Sequence, residues 1–212
     1  MASQEYSHLL AAWIILSIGI AVPAFNHNNH VQMILALPFA AIILALAIGA
    51  KKGAAYLLDS DVEHELWKSS GFSFTPKPGY RKEHQAGVII PLFISFLSII
   101  TKTTLQCFTL VTYETRARKA RASKRFGPYS YQEMTDWHNA LIGAAGNVTI
   151  IILATVAYFA NNEFLARQAS FYAFWNLLPI SKLDGTQIFF GSKVLWTILA
   201  TITLLFTLYA VS

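Results

Sequence analysis

Six histidines, one cysteine and eleven acidic residues are the side chains of this 212-residue chain that could hold a metal or move a proton. Hydrolytic zinc chemistry on a helix asks for two imidazoles at i and i+4, which share one face, with a glutamate beside the first as base for the metal-bound water. His8, His27, His30, His64, His84 and His138 contain no such pair. The nearest stretch is HELWK, His64 to Lys68, with a lysine at the second position. A charged ammonium has three donors and no lone pair, so it cannot ligate zinc. His27 and His30 stand at i and i+3 in NHNNH, which reads as a solvated turn before it reads as a metal pair. The lone Cys107 excludes an internal disulfide and a cysteine-based metal cluster.

A second unusual stretch is FWNLLPISKLDG, Phe174 to Gly185. It places an Asn, a Pro and an Asp inside one of the most apolar regions of the chain. A carboxylate in a membrane protein is costly unless it is paired, hydrated or bound to a metal. Taken alone, Asp184 and Gly185 could equally form a turn at a helix end, with Lys182 snorkelling nearby.

The elements that must carry these residues follow from composition. Hydrophobic residues make up 55% of the chain and charged ones 13%, whereas soluble domains carry about 25% charged residues. The mean hydropathy is +0.46, and the apolar residues come in long blocks. This is the pattern of an all-α polytopic membrane protein, a single membrane domain over 1–212 with about five to six transmembrane helices. The expected spans are 8–25, 32–50, 140–160, 164–181 and 194–211. Residues 87–111 form a shorter, interrupted block that reads as a span or a re-entrant segment. The N-terminus lacks a basic leader region, so the first apolar run is expected to be a retained span.

The loops 51–86 and 112–139 are both basic, and NHNNH and ANNE are not. Lysine and arginine are retained on the cytoplasmic side. Both basic loops and the N-terminus are therefore expected there, with 87–111 dipping in and returning, and Asp184 near that surface. The net charge of +5 has the same origin, and no nucleic-acid partner is expected. ETRARKARASKR gathers Arg116, Arg118, Lys119, Arg121, Lys124 and Arg125. It reads as an interfacial helix on anionic lipid, with an acidic patch on a partner as the alternative. Trp137 and Trp196 stand at expected helix ends, as interfacial anchors do. The sequon NVT, Asn147 to Thr149, falls inside a span, where glycosylation is not feasible.

NLLPISKLDG resembles the N-x-x-P-x-x-x-L-D-G signature of the site-2 protease family of intramembrane metalloproteases (peptidase M50). Upstream, ALIGAAGNVTIIILA, Ala140 to Ala154, is similar to the small-residue helix of that family, whose Asn handles substrate backbone. The resemblance covers about Ala140 to Trp196 well and the first half by arrangement only. It implies a site-2-protease-like core in which Gly146, Asn147, Asn176, Pro179, Leu183, Asp184 and Gly185 are the motif residues. Asp184 corresponds to a zinc ligand, with the Asn and Pro bending the chain to aim it. Asn147 is expected to hydrogen-bond across to the Asn176 segment.

The family's H-E-x-x-H half-site is absent. Its expected position, the end of the second apolar block, reads ALAIGAKKGAA, Ala45 to Ala55, with the lysine and small residues but no His or Glu. HELWK would belong to the loop that follows. One of three protein ligands would remain and no base, and catalytic zinc needs three ligands plus water. The implied product is a divergent, proteolytically inactive membrane protein, with no catalytic residue or metal expected. It would act as a binding, assembly or structural subunit among membrane lipids, with a transmembrane protein as partner. The alternative is an active zinc intramembrane metalloprotease with unusual ligands drawn from His64, His84 and Asp184, and His64 and Glu65 in the catalytic role.

Overall fold

A computed structural model describes residues 2–70, 83–103, 106–108, 111–117 and 134–211. In chain order the elements are α1 (Ala2–Asn26), α2 (His30–Leu57), β1 (Ser60–Leu66), β2 (Ser69–Ser70), β3 (Glu83–His84), α3 (Ala86–Thr101), β4 (Val111–Ala117), α4 (Asp136–Phe159), α5 (Glu163–Leu177), α6 (Asp184–Gly191) and α7 (Lys193–Val211).

The molecule is mostly helical. Four helices, Glu5–Asn26, His30–Leu57, Asp136–Phe159 and Lys193–Ala210, are long and apolar enough to cross a membrane, which is compatible with an integral membrane protein. The remaining two expected crossings are shorter. α3 has 16 residues. α5 has 15 and ends at Leu177, because the residue before Pro179 is driven to extended backbone, and Leu178 has φ −64° and ψ 131°.

Two helical hairpins use the same device. Asn28 and Asn161 adopt left-handed backbone, φ 55° and 57°, which Asn tolerates better than most side chains. The next residue in each case caps the following helix: Asn29 Oδ1 accepts from Gln32 N at 3.2 Å, and Asn162 Oδ1 from Leu165 N at 3.1 Å. The paired asparagines of the two polar turns therefore stop one helix and start the next.

α1, α2, α4 and α5 share one apolar core, including Leu16, Ile20, Phe39, Ile43, Ile150, Ala154, Ala169 and Tyr172. Apolar residues on the outer faces, such as Ile34, Leu37, Phe93, Ile152 and Leu205, stay exposed. That is the all-round apolarity of helices that meet lipid.

α3 starts beside Trp67, where Gly87 N donates to Trp67 O at 2.8 Å. α3 ends beside the C-terminus of α1, where Asn26 Nδ2 donates to Ser98 O at 3.1 Å and to Thr103 O at 2.8 Å. The chain then passes Gly19, against which Phe108 packs, and Val111–Ala117 pairs antiparallel with Ser60–Leu66. Both strands thus lie at the end of the bundle where α2 finishes and α4 begins.

This two-stranded sheet was not expected. HELWK, expected in a loop, begins within β1, which alternates inward and outward, with Val62, His64 and Leu66 buried. The expected interfacial helix over Glu114 to Arg125 is corrected too. Glu114–Ala117 is strand, because the β-branched and aromatic residues of VTYETRA fit a pleated, half-buried surface. Residues 118–125 lie outside the described residues, and so do GFSF, Gly71 to Phe74, whose alternation is that of a short strand, and PKPG, Pro76 to Gly79, whose composition is that of a turn.

Candidate functional site: a buried lysine–aspartate pair

The residue that meets Asp184 is Lys51. Its Nζ stands 2.5 Å from Asp184 Oδ2, and the two side chains are 4% and 3% exposed. Lys51 lies six residues before the end of α2, in the stretch ALAIGAKKGAA. Asp184 is the first residue of α6. A lone buried charge of either sign would be strongly disfavoured, and together they compensate each other.

Each neighbour has a traceable reason to be there. A Cβ on Gly146 would lie 2.7 Å from Lys51 Cε and 3.0 Å from its Cγ. The missing side chain on α4 is thus the passage through which the lysine stem reaches Asp184. A Cβ on Gly143 would lie 2.6 Å from the Tyr113 hydroxyl. That hydroxyl donates to Asn139 O at 2.6 Å, and the ring lies 4.9 Å from Lys51 Nζ. Lys51 therefore has a carboxylate and an aromatic face as partners. Burial first, and then the Asp184 charge, push the Tyr113 phenol above its ordinary range, so it stays neutral.

Asp184 is fixed by the turn before it. Ser181 takes left-handed backbone, φ 53°, and Leu183 N donates to Ile180 O at 3.2 Å. Leu183 is fully buried and packs with Trp67 and Ala86. A Cβ on Gly185 would fall 2.0 Å from Leu177 O and 2.7 Å from Leu178 O. Only glycine lets α6 start against the end of α5. Trp196 Nε1 donates to Leu177 O at 2.9 Å, which ties α7 to the same corner.

The two motif asparagines are both buried, Asn147 at 3% and Asn176 at 2% exposure. Their amides do not bridge as expected: Asn147 Nδ2 donates to Gly143 O at 3.3 Å and Asn176 Nδ2 to Tyr172 O at 2.9 Å. Each satisfies its own helix one turn back.

His64, 1% exposed, belongs to a second cluster. Its Nδ1 lies 3.3 Å from Glu5 Oε1, and the same oxygen lies 2.7 Å from Lys52 Nζ. Burial first, then the charge of Lys51, with a smaller part from Lys52, hold the imidazole down to about 3 against the pull of Glu5. It is neutral at pH 7. Because an ionised carboxylate only accepts, Nδ1 carries the proton. Glu65 points the other way, as strand alternation requires, and takes Lys68 Nζ at 3.0 Å. The two residues of HELWK that could have worked on one metal are on opposite faces of a strand. His84 lies in β3 with its side chain outside the described residues. Arg116 on β4 pairs with Glu63 at 3.3 Å, while Arg118, Lys119, Arg121, Lys124 and Arg125 lie outside the described residues. His27 and His30 are exposed.

These donors do not fit a zinc ion. Asp184 Oδ2 is taken by an ammonium, which would repel a dication. Among the described residues no three of His, Cys, Asp and Glu are gathered as metal ligands. Sequence reasoning named Asp184 and missed its partner. The signal was present: a lysine at the end of an apolar helix, followed by small residues, in a chain with one buried acid to compensate.

No protein-family model, curated protein or solved structure matches this chain.

Proposed function

We propose that the chain is a site-2-protease-like integral membrane protein that does not cut, and that it serves as a binding or assembly subunit for a transmembrane partner. The observation that carries this reading is the Lys51–Asp184 pair. In the family that NLLPISKLDG resembles, the matching aspartate faces a metal. Here the counter-charge is supplied from within the chain by a lysine of α2. A fixed ammonium compensates the carboxylate without offering a site for an activated water, so the scaffold is kept and the reaction is not.

In this reading α3 and α5 complete the bundle beside the four long helices, and the N-terminus and basic loops face the cytoplasm. The small-residue face of α4 serves close helix contact. The test is a proteoliposome assay with labelled single-span reporter helices in the presence of added zinc. The expected result is association, read by energy transfer, with every reporter intact. Zinc-dependent cleavage that a chelator abolishes would sink the proposal.

A further inference from the structure

At the other end of the bundle two cavities share part of their walls. The larger, about 700 Å³, lies among the C-terminal ends of α4 and α7 and the start of α5, with walls that include Ala154, Tyr158, Ala166, Leu205, Phe206 and Tyr209. The smaller, about 250 Å³, is lined by His27, Gln32, Gln106 and Gln168, among others. Glu163 and Arg167 border both. Tyr158 lies twelve residues beyond Gly146 on the same helix, so this region is about 18 Å along the axis from the Lys51–Asp184 pair.

The two spaces differ in chemistry. The larger has aliphatic and aromatic walls, and its polar hydroxyls on Tyr158 and Tyr209 bond each other at 2.8 Å. Its volume lies within the range of about 300–1,000 Å³ over which proteins hold small ligands. The smaller is amide-lined. Gln168 is 1% exposed, and its Oε1 has no hydrogen-bond partner among the described residues. That oxygen is closed off from the cavity, so the polar groups a ligand reaches at the junction are those of Glu163 and Arg167, both exposed. Arg167, at the junction, is exposed and has no carboxylate within 4 Å among the described residues, Glu163 one turn away included.

We propose that this double cavity binds one glycerophospholipid, with a chain in the larger space, the phosphodiester on Arg167, and a hydroxyl-bearing headgroup donating to Glu163 in the smaller. A guanidinium matches a phosphate in charge and geometry. The Glu163 carboxylate beside it requires a headgroup that also donates.

The test is native mass spectrometry of the full chain in detergent, titrated with dioleoyl phosphatidylglycerol. One lipid per chain is expected to stay bound in the wild type. Retention is expected to fall about tenfold in Arg167→Gln, to recover in part in Arg167→Lys, and to fall in Ala166→Phe, whose ring fills the larger space. Unchanged thermal melting of the variants ties the losses to the site. Equal retention in wild type and Arg167→Gln overturns the proposal. So does displacement by excess inorganic phosphate, which would make the ligand a free anion, or equal retention of dioleoyl phosphatidylcholine, whose headgroup donates nothing.

Discussion

Lys51 Nζ and Asp184 Oδ2 meet at 2.5 Å with both side chains almost wholly buried, joining the second helix of the chain to the sixth. Gly146 gives the lysine its passage and Gly185 gives the aspartate its position. A pair held this way behaves as one neutral object whose halves are not separately tolerable.

Breaking it from one side should therefore be far worse than removing it. Lys51→Met or Asp184→Leu alone is expected to cost about 3–5 kcal/mol, whereas the two together should recover most of the loss. Equilibrium unfolding in detergent, read as a double-mutant cycle, measures this. A coupling energy below about 0.5 kcal/mol would mean that the two charges act independently.

The two glycines should respond differently to the same change. Alanine is favoured over glycine inside a helix by about 1 kcal/mol. Gly185→Ala nonetheless drives a methyl into two backbone carbonyls, which cannot yield, and is expected to destabilise by about 3 kcal/mol or more. At Gly146 the obstacle is the flexible lysine stem, so Gly146→Ala should cost about 1 kcal/mol, through a strained ion pair. Thermal melts of the two variants give the ranking.

Acid should weaken the fold through His64. The unfolded chain takes up a proton near pH 6.5 and the folded imidazole only near 3. Between those values the unfolded state binds more protons, so stability is full above pH 6.5 and falls as the pH drops toward 3. The limiting slope is about 1.4 kcal/mol per pH unit. Glu5, Lys51 and Lys52 are the charges that face the ring. Melting temperatures from pH 7 to 4 should decline in the wild type and decline less in His64→Gln.

Tyr113 has two duties that substitution can separate. Tyr113→Phe loses the hydrogen bond to Asn139 O and should cost about 1 kcal/mol. Tyr113→Leu also removes the ring beneath Lys51 and should cost about 0.5–2 kcal/mol more. If the two variants unfold at the same denaturant concentration, the ring does nothing for the ammonium.

Much of this was legible in the sequence and some was not. The long helices announce themselves as apolar blocks, and the Asn-Asn turns between them are readable as stop and start signals. Asp184 is conspicuous because a carboxylate in an apolar run needs compensation. Its partner was harder to see because Lys51 and Lys52 look like a snorkelling pair at a helix end; only packing separates them, Lys51 inward to Asp184 and Lys52 outward to Glu5. The β1–β4 pairing was hidden for another reason. Its strands are 7 residues each and lie far apart in the chain, and DVEHELW carries enough charge to pass for a loop. Long-range pairing of this kind leaves no local periodicity stronger than its polar residues.

The central claim is that an ammonium, not a metal, answers the buried aspartate. Its most direct test is the zinc content of the full chain, purified from membranes without chelator and measured by elemental mass spectrometry. The account predicts less than about 0.1 zinc per chain, unchanged in Asp184→Ala, whereas about one tightly held zinc per chain that disappears with Asp184 would contradict it.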